Sequence, residues 1–271
     1  MTWDQLMGPI TWVHVVQTLV AECLGTAILI IVGCWSVGIT MYIPIADAHH
    51  LSIAFGFGIA IMMIVIITGH ISYANVNPAV TLSFVIIGVI KPGLGVLYSV
   101  SQVLGSTIGA ALIYAIIPKY REAGNKSFCC NKVSPDLKEW EAFLVEVIAT
   151  GILCLVVCAS FDTRNSAYFD SISLKFGFTV MVLALAAGPL SSCSMNPARS
   201  VGPAIISNYW EHHWIFWAGP MCGSLIVALF YRFVFFVPKP RKNKKEDKNE
   251  NEHALVSSVH SYNISEDATK D

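Results

Sequence analysis

The chain has 271 residues, of which 55% are hydrophobic and only 13% charged, with a formal net charge of −1. Soluble domains carry about a quarter of their residues as charges, so this composition excludes an ordinary soluble globular protein. It equally excludes an electrostatic nucleic-acid binder, because no basic face of the needed density exists outside the C-terminal tail.

Between Val15 and Pro118 the only formally charged side chains are Glu22, Asp47 and Lys91. Residues 1–14 read as a short N-terminal cytoplasmic segment. No basic stretch precedes the first apolar run, and that run is too long for a signal core, so it is expected to stay as a span. Apolar windows of spanning length follow at Val15–Val37, Leu51–Gly69, Gly93–Ile117, Ala142–Ser160, Ser171–Gly188 and Trp214–Phe236. Each is close to the ~20 helical residues that about 30 Å of hydrocarbon demands. Two further apolar stretches, Asn77–Ile90 and Asn196–Ser207, are too short to cross and begin abruptly at Asn-Pro. They are expected to be re-entrant half-helices. Beyond about Lys239 the chain is polar, charged and non-periodic, which predicts a disordered cytoplasmic tail over 239–271.

The two halves repeat. Glu22-Cys-Leu-Gly-Thr26 recurs as Glu146-Val-Ile-Ala-Thr150, Phe55-Gly-Phe57 as Phe176-Gly-Phe178, and Asn77-Pro-Ala79 as Asn196-Pro-Ala198. A channel domain over 15–238 therefore divides into one repeat at about 15–118 and a second at about 140–238. With three spans per repeat the second copy enters the membrane from the opposite side, so the symmetry is inverted. The expected fold is an all-α membrane protein of six transmembrane helices plus two re-entrant half-helices.

Six spans put both termini on one side. The basic residues Lys239, Arg241, Lys242, Lys244 and Lys245 argue that this side is cytoplasmic. The loop after the third span pulls the other way, with Lys119, Arg121, Lys126, Lys132 and Lys138. That loop also carries Asn125-Lys-Ser127, a glycosylation sequon usable only if it faces outward. A second sequon, Asn263-Ile-Ser265, would be silent in a cytoplasmic tail.

Eight cysteines form no evident disulfide framework. Cys23, Cys34, Cys154, Cys158, Cys193 and Cys222 lie in apolar surroundings and read as small buried hydrophobes. The neighbours Cys129 and Cys130 sit in a polar loop and cannot easily pair with each other. Asp47, His49 and His50, and separately Glu211, His212 and His213, have the wrong spacing for a closed metal site and read as exposed loop residues. No metal, cofactor or enzymatic motif is expected.

Asparagine is a good helix N-cap and proline suits the first helical position, so Asn-Pro-Ala marks a helix start. Inside a membrane, a break in a helix is tolerated only where protein buries it or a wet cavity receives it. Two such starts pointing at each other predict a polar path. Each N-terminus, worth roughly +0.5 elementary charge, repels cations and protons but not neutral solutes. The Asn77 and Asn196 amides would offer N–H donors to whatever passes.

On the paired motifs Asn77-Pro-Ala-Val80 and Asn196-Pro-Ala-Arg-Ser200, the chain resembles the aquaporin, or major intrinsic protein, family from about Val15 to Phe236. The resemblance implies a pore in each subunit, a homotetramer and a plasma-membrane location with both termini cytoplasmic. It also implies an aromatic/arginine selectivity filter near the outer mouth, mapping to Phe57, Ala184, Cys193 and Arg199. Position 184 departs from the water-selective pattern, which places a histidine there. Ala184 removes a bulky donor and widens the constriction. Ser200, Ala204, Phe216 and Trp217 nonetheless resemble the water-channel branch, and the Asp and Lys that follow the second motif in glycerol facilitators are absent. Certain insect members that carry glycerol show this combination.

Arg199, one turn into a half-helix at membrane depth, is costly unless it faces water. Phe57 gains weight as a pore residue only from its spacing to Asn77. Glu22 and Glu146 occupy equal places in the two repeats, which predicts that they brace the re-entrant loops by accepting N–H bonds. His70 is expected on the inner pore, and Cys193, beside the filter, as a blockable thiol. The expected function is a passive channel for water and small uncharged solutes such as glycerol and urea, excluding protons and ions. A strictly water-selective channel is the alternative. A coupled secondary transporter, which also uses inverted repeats and broken helices, or an adhesion protein would be told apart by gradient-driven flux or by none.

Overall fold

The computed structural model describes residues 12–39, 49–118 and 127–235, and all regular structure among them is helical. The spans are α1 (Trp12–Ile39), α2 (His49–Ser72), α4 (Pro92–Ile116), α5 (Glu139–Ser160), α6 (Ile172–Ser191) and α8 (Ile215–Phe230), the last continued by a π-helical turn at Tyr231–Phe235. The short helices α3 (Pro78–Ile86) and α7 (Pro197–Ser207) lie between the second and third spans of each half. A 3₁₀ segment, Thr163–Ser171, leads into α6. Six of these helices are long and apolar enough to cross a membrane. The N-terminal segment, Asp47, Asn125 with its flanking basic residues, and the tail lie outside the described residues.

The first half-helix ends at Ile86 and not at Ile90 as the apolar run suggested. Gly88 adopts φ +83, a conformation that favours glycine, and the Val89 N–H turns back to the Phe84 carbonyl at 2.8 Å. The turn stops the helix while the sequence is still apolar.

The repeats pack alike. α1 lies against α2 and α4, α5 against α6 and α8, and α2 crosses α6 between the halves. At that crossing Gly58 and Gly177 face each other, and a Cβ on either would stand 2.7 Å from the other's carbonyl oxygen. Small residues let backbones approach where lipid supplies no hydrophobic drive for helix association. Each half-helix also packs on the last span of the other repeat, α7 on α4 and α3 on α8. This exchange holds the two short helices at the interface between the repeats.

The end of α1 is tied to the segment before α5 by a disulfide that the sequence reading missed. Cys34, near the end of α1, is bonded to Cys129 across 95 residues. The apolar neighbourhood of Cys34 disguised it as a packing thiol. Only the folding of the loop over α1 brings the partner near. Burial pushes the neighbouring Cys130 thiol up, which leaves it a weak nucleophile at neutral pH.

Candidate functional site

Both re-entrant segments unwind before their half-helix in the same way. Tyr73, Ala74 and Val76 have φ of 68, 51 and 44, and Ser192, Cys193 and Met195 have 59, 43 and 52. Non-glycine residues adopt such angles only when their surroundings over-determine them. The surroundings here are two fully buried carboxyls. Glu22 accepts from the Ser72 hydroxyl at 2.6 Å, the Asn75 N–H at 3.0 Å, the Val76 N–H at 2.7 Å and the Gln102 amide at 2.7 Å. Glu146 accepts from the Ser191 hydroxyl at 2.7 Å and from the Ser194 and Met195 N–H groups, each at 2.8 Å.

The cap oxygens of Asn77 and Asn196 accept from the first turns of α3 and α7: Ala79 N–H at 2.8 Å, and Ala198 and Arg199 N–H at 3.0 and 3.2 Å. Pro78 and Pro197 follow as first helical residues. Each cap amide then donates across the repeat interface. Asn77 Nδ2 reaches the Met195 carbonyl and Asn196 Nδ2 the Val76 carbonyl, both at 2.8 Å. The helix starts therefore meet head to head and are locked reciprocally. Of the two hydrogens on each amide, one is spent on this lock, which narrows the expectation that the whole amide serves a passing molecule.

A cavity of about 390 Å³ runs past both caps. His50, Lys132 and Gly188 line it, as do Tyr73, Phe84 and Phe176. Phe57, Ala184, Cys193 and Arg199, scattered over four elements, line this one cavity together. Arg199 is 7% exposed, with Cζ 4.8 Å from the Phe57 ring centroid, close enough for a cation–π contact. Its Nη1 donates to the Cys129 carbonyl and to Asn131 Oδ1, each at 2.8 Å. Cys193 turns its thiol toward the Leu183 carbonyl at 3.3 Å.

Some expectations fall elsewhere. His70, expected on the inner pore, lies exposed in the last turn of α2 and is not among the residues lining the cavity. His212 lies 3.2 Å from Glu139 and 3.7 Å from Glu211, and among the described residues no cluster of three ligating side chains could hold a metal. Asn131, whose Oδ1 takes bonds from both Arg199 and the Ser200 hydroxyl, was not foreseen. Ser72 and Ser191 were also missed, although they precede the two Asn-Pro-Ala motifs at equal spacing and so belonged to the visible repeat.

A bundle of six spans that joins two capped helix starts on one lumen defines a multi-pass membrane channel. Comparison with known proteins agrees: residues 10–231 match the Major intrinsic protein family. The chain is 36% identical over 228 residues to Aquaporin-8 of Notomys alexis, covering 83% of this chain and 85% of that protein. It is 34% identical over 222 residues to Aquaporin-2 of Bos taurus, covering 82% and 80%. It shares its fold with the X-ray structure of the aquaglyceroporin from Plasmodium falciparum at a TM-score of 0.72 and 22% identity, over 81% of this chain and 96% of that one. The chain belongs to the major intrinsic protein, or aquaporin, family.

Proposed function

We propose that this channel passes water and small uncharged solutes such as glycerol and urea, and excludes protons and ions. The carrying observation is the shared cavity, in which two helix N-termini meet at Asn77 and Asn196 and in which Ala184 stands where a bulky donor would narrow the passage. Positive helix ends on the lumen oppose a proton or cation at the point where it would have to shed water. Phe57, Ala184, Cys193 and Arg199 form the constriction in this reading. Arg199 serves the hydroxyls of a polyol, and Ala184 with the Phe57 ring receives its carbon edge. Desolvating those hydroxyls without partners would cost a few kcal/mol each, so the arginine is needed as much as the gap. Glu22 and Glu146 hold the re-entrant loops, and Cys193 supplies a thiol that a small reagent can reach along the lumen.

The channel domain spans about 15–238, with the tail cytoplasmic and the loop bearing Asn125 outside. The disulfide supports this orientation, because such bonds persist in oxidising compartments and Cys129 lies in that loop. The plasma membrane and a homotetramer with one pore per subunit complete the reading. Paired stopped-flow measurements in proteoliposomes test the solute range. Glycerol and urea influx above that of empty vesicles supports it; water flux without either solute leaves a strictly water-selective channel. Flux that follows a proton or sodium gradient would favour a coupled transporter instead.

A further inference from the structure

We propose that Gly33 and Cys34 of α1, neither of which lines the main cavity, set the aperture of the constriction by fixing Phe57 and Arg199 from behind. The inference rests on the reading of those two residues as the constriction. A Cβ on Gly33 would fall 2.2 Å from Phe57 Cε1 and 2.5 Å from Cζ, so the ring lies directly on the helix backbone. The next residue, Cys34, is 1% exposed and holds Cys129 with a Cα–Cα distance of 5.5 Å. The Cys129 carbonyl accepts from Arg199 at 2.8 Å, and Arg199 stands over the Phe57 ring. The contacts close a circuit: Gly33, Phe57, Arg199, Cys129, Cys34.

Two adjacent residues thus position an aromatic and a cation that lie on one lumen. Phe57 has α1 behind it and open cavity before it, so a methyl group placed behind the ring moves it forward. Cys129 itself is held at φ +55, a conformation a cysteine keeps only under restraint, and the disulfide is one restraint on it. The rest of this loop is fastened to the end of α6 and the start of the second re-entrant segment: the Ser134 N–H donates to the Leu190 carbonyl, and the Lys132 N–H to the Ser192 hydroxyl, each at 2.9 Å. Without the disulfide the Cys129 carbonyl is no longer held to α1. Arg199 then keeps Asn131 but loses a fixed acceptor, and its guanidinium swings toward the lumen. Either change narrows the passage, and the wider solute suffers first.

The test places wild type, Gly33→Ala and the pair Cys34→Ala/Cys129→Ala in proteoliposomes, with water and glycerol fluxes divided by the amount of inserted channel. The glycerol-to-water ratio is expected to fall about tenfold in both variants, the factor carried by about one net hydrogen bond. A merely structural loss lowers both fluxes alike and leaves the ratio unchanged. An unchanged or raised ratio in both variants overturns the proposal. Should the pair fail to fold, wild type is reduced in vesicles, with thiol alkylation reporting cleavage of the bond, and the same ratio is read. If wild type passes water but no glycerol, water flux per channel is compared with Gly109→Ala, where the added methyl meets Ala27 and Ile30 and not Phe57: a larger fall in Gly33→Ala supports the circuit, and an equal or smaller one overturns it. A wild type that passes no water refutes the constriction reading itself, and this inference with it.

Discussion

Glu146→Gln tests whether a buried carboxylate holds the second re-entrant loop. The three groups that donate to Glu146 are the Ser191 hydroxyl at 2.7 Å and the Ser194 and Met195 N–H groups at 2.8 Å. A glutamine oxygen can keep the first two, which share Oε1. Its NH₂ then faces the Met195 N–H, donor against donor. Losing a bond to a carboxylate while stranding a buried N–H costs about 3 kcal/mol. For a chain of this size that corresponds to a melting temperature lower by roughly 6–12 °C. Met195 also presents the carbonyl that takes the Asn77 amide, so the disturbance reaches the other repeat and water flux per channel falls as well. Ser191→Ala, which removes one neutral donor, should cost only about 1 kcal/mol. Thermal unfolding of the purified protein in detergent, read beside vesicle swelling, makes the comparison. A glutamine variant that melts and conducts as wild type would refute the bracing argument.

Ala184→His restores the missing bulk and should lower glycerol flux about tenfold more than water flux, about 1.4 kcal/mol of added barrier, in paired swelling assays; equal losses would place residue 184 away from the narrowest point. An impermeant mercurial should block water flux through wild type but not through Cys193→Ser, because that thiol lines the cavity; block that persists in the variant would point to Cys130 instead. Asp162, buried between α5 and the 3₁₀ segment, accepts from Arg164 Nη2 at 2.6 Å and from the Tyr231 hydroxyl at 2.9 Å. The hydrogen bonds from Arg164 hold its carboxyl well below the usual carboxylate range. A depressed folded pKa stabilises above the ordinary aspartate value of about 3.9 and is lost as pH falls toward the folded one. Asp162→Asn should therefore lower the melting temperature at pH 7, and the gap to wild type should shrink in melts below about pH 4. A gap that is the same at both pH values would show that the carboxylate charge is not what ties this corner.

The bundle was legible because each of its causes is local. Long apolar windows, Asn-Pro starts and a repeated Glu-x-x-x-Thr need no tertiary context, and together they place the spans and half-helices within a few residues. Gly88 shows where that reading fails, since a left-handed turn ended α3 inside an apolar run that hydropathy alone would continue. Phe57, Ala184, Cys193 and Arg199 could be named only because the resemblance to the aquaporin family implies a filter at those distances from the repeated motifs, and the structure brings them onto one cavity. What holds them was not legible. The Cys34–Cys129 bond, the Asn131 acceptor and the cross-interface bonds of the two cap amides each join residues far apart in the chain. Nothing in the local chemistry of Cys34 or Asn131 names its partner. His70 does not join the lining of that cavity, since proximity in sequence to the first motif does not by itself put a side chain on it.

Water and proton permeability measured on the same proteoliposomes test the central claim most directly, because that claim is a lumen lined by two opposed, capped helix starts. Vesicles containing the protein should shrink in a hyperosmotic step much faster than empty ones, while a pH-sensitive dye inside them reports no added proton leak. Shrinkage at the rate of empty vesicles, or proton flux that rises together with water flux, would contradict the account.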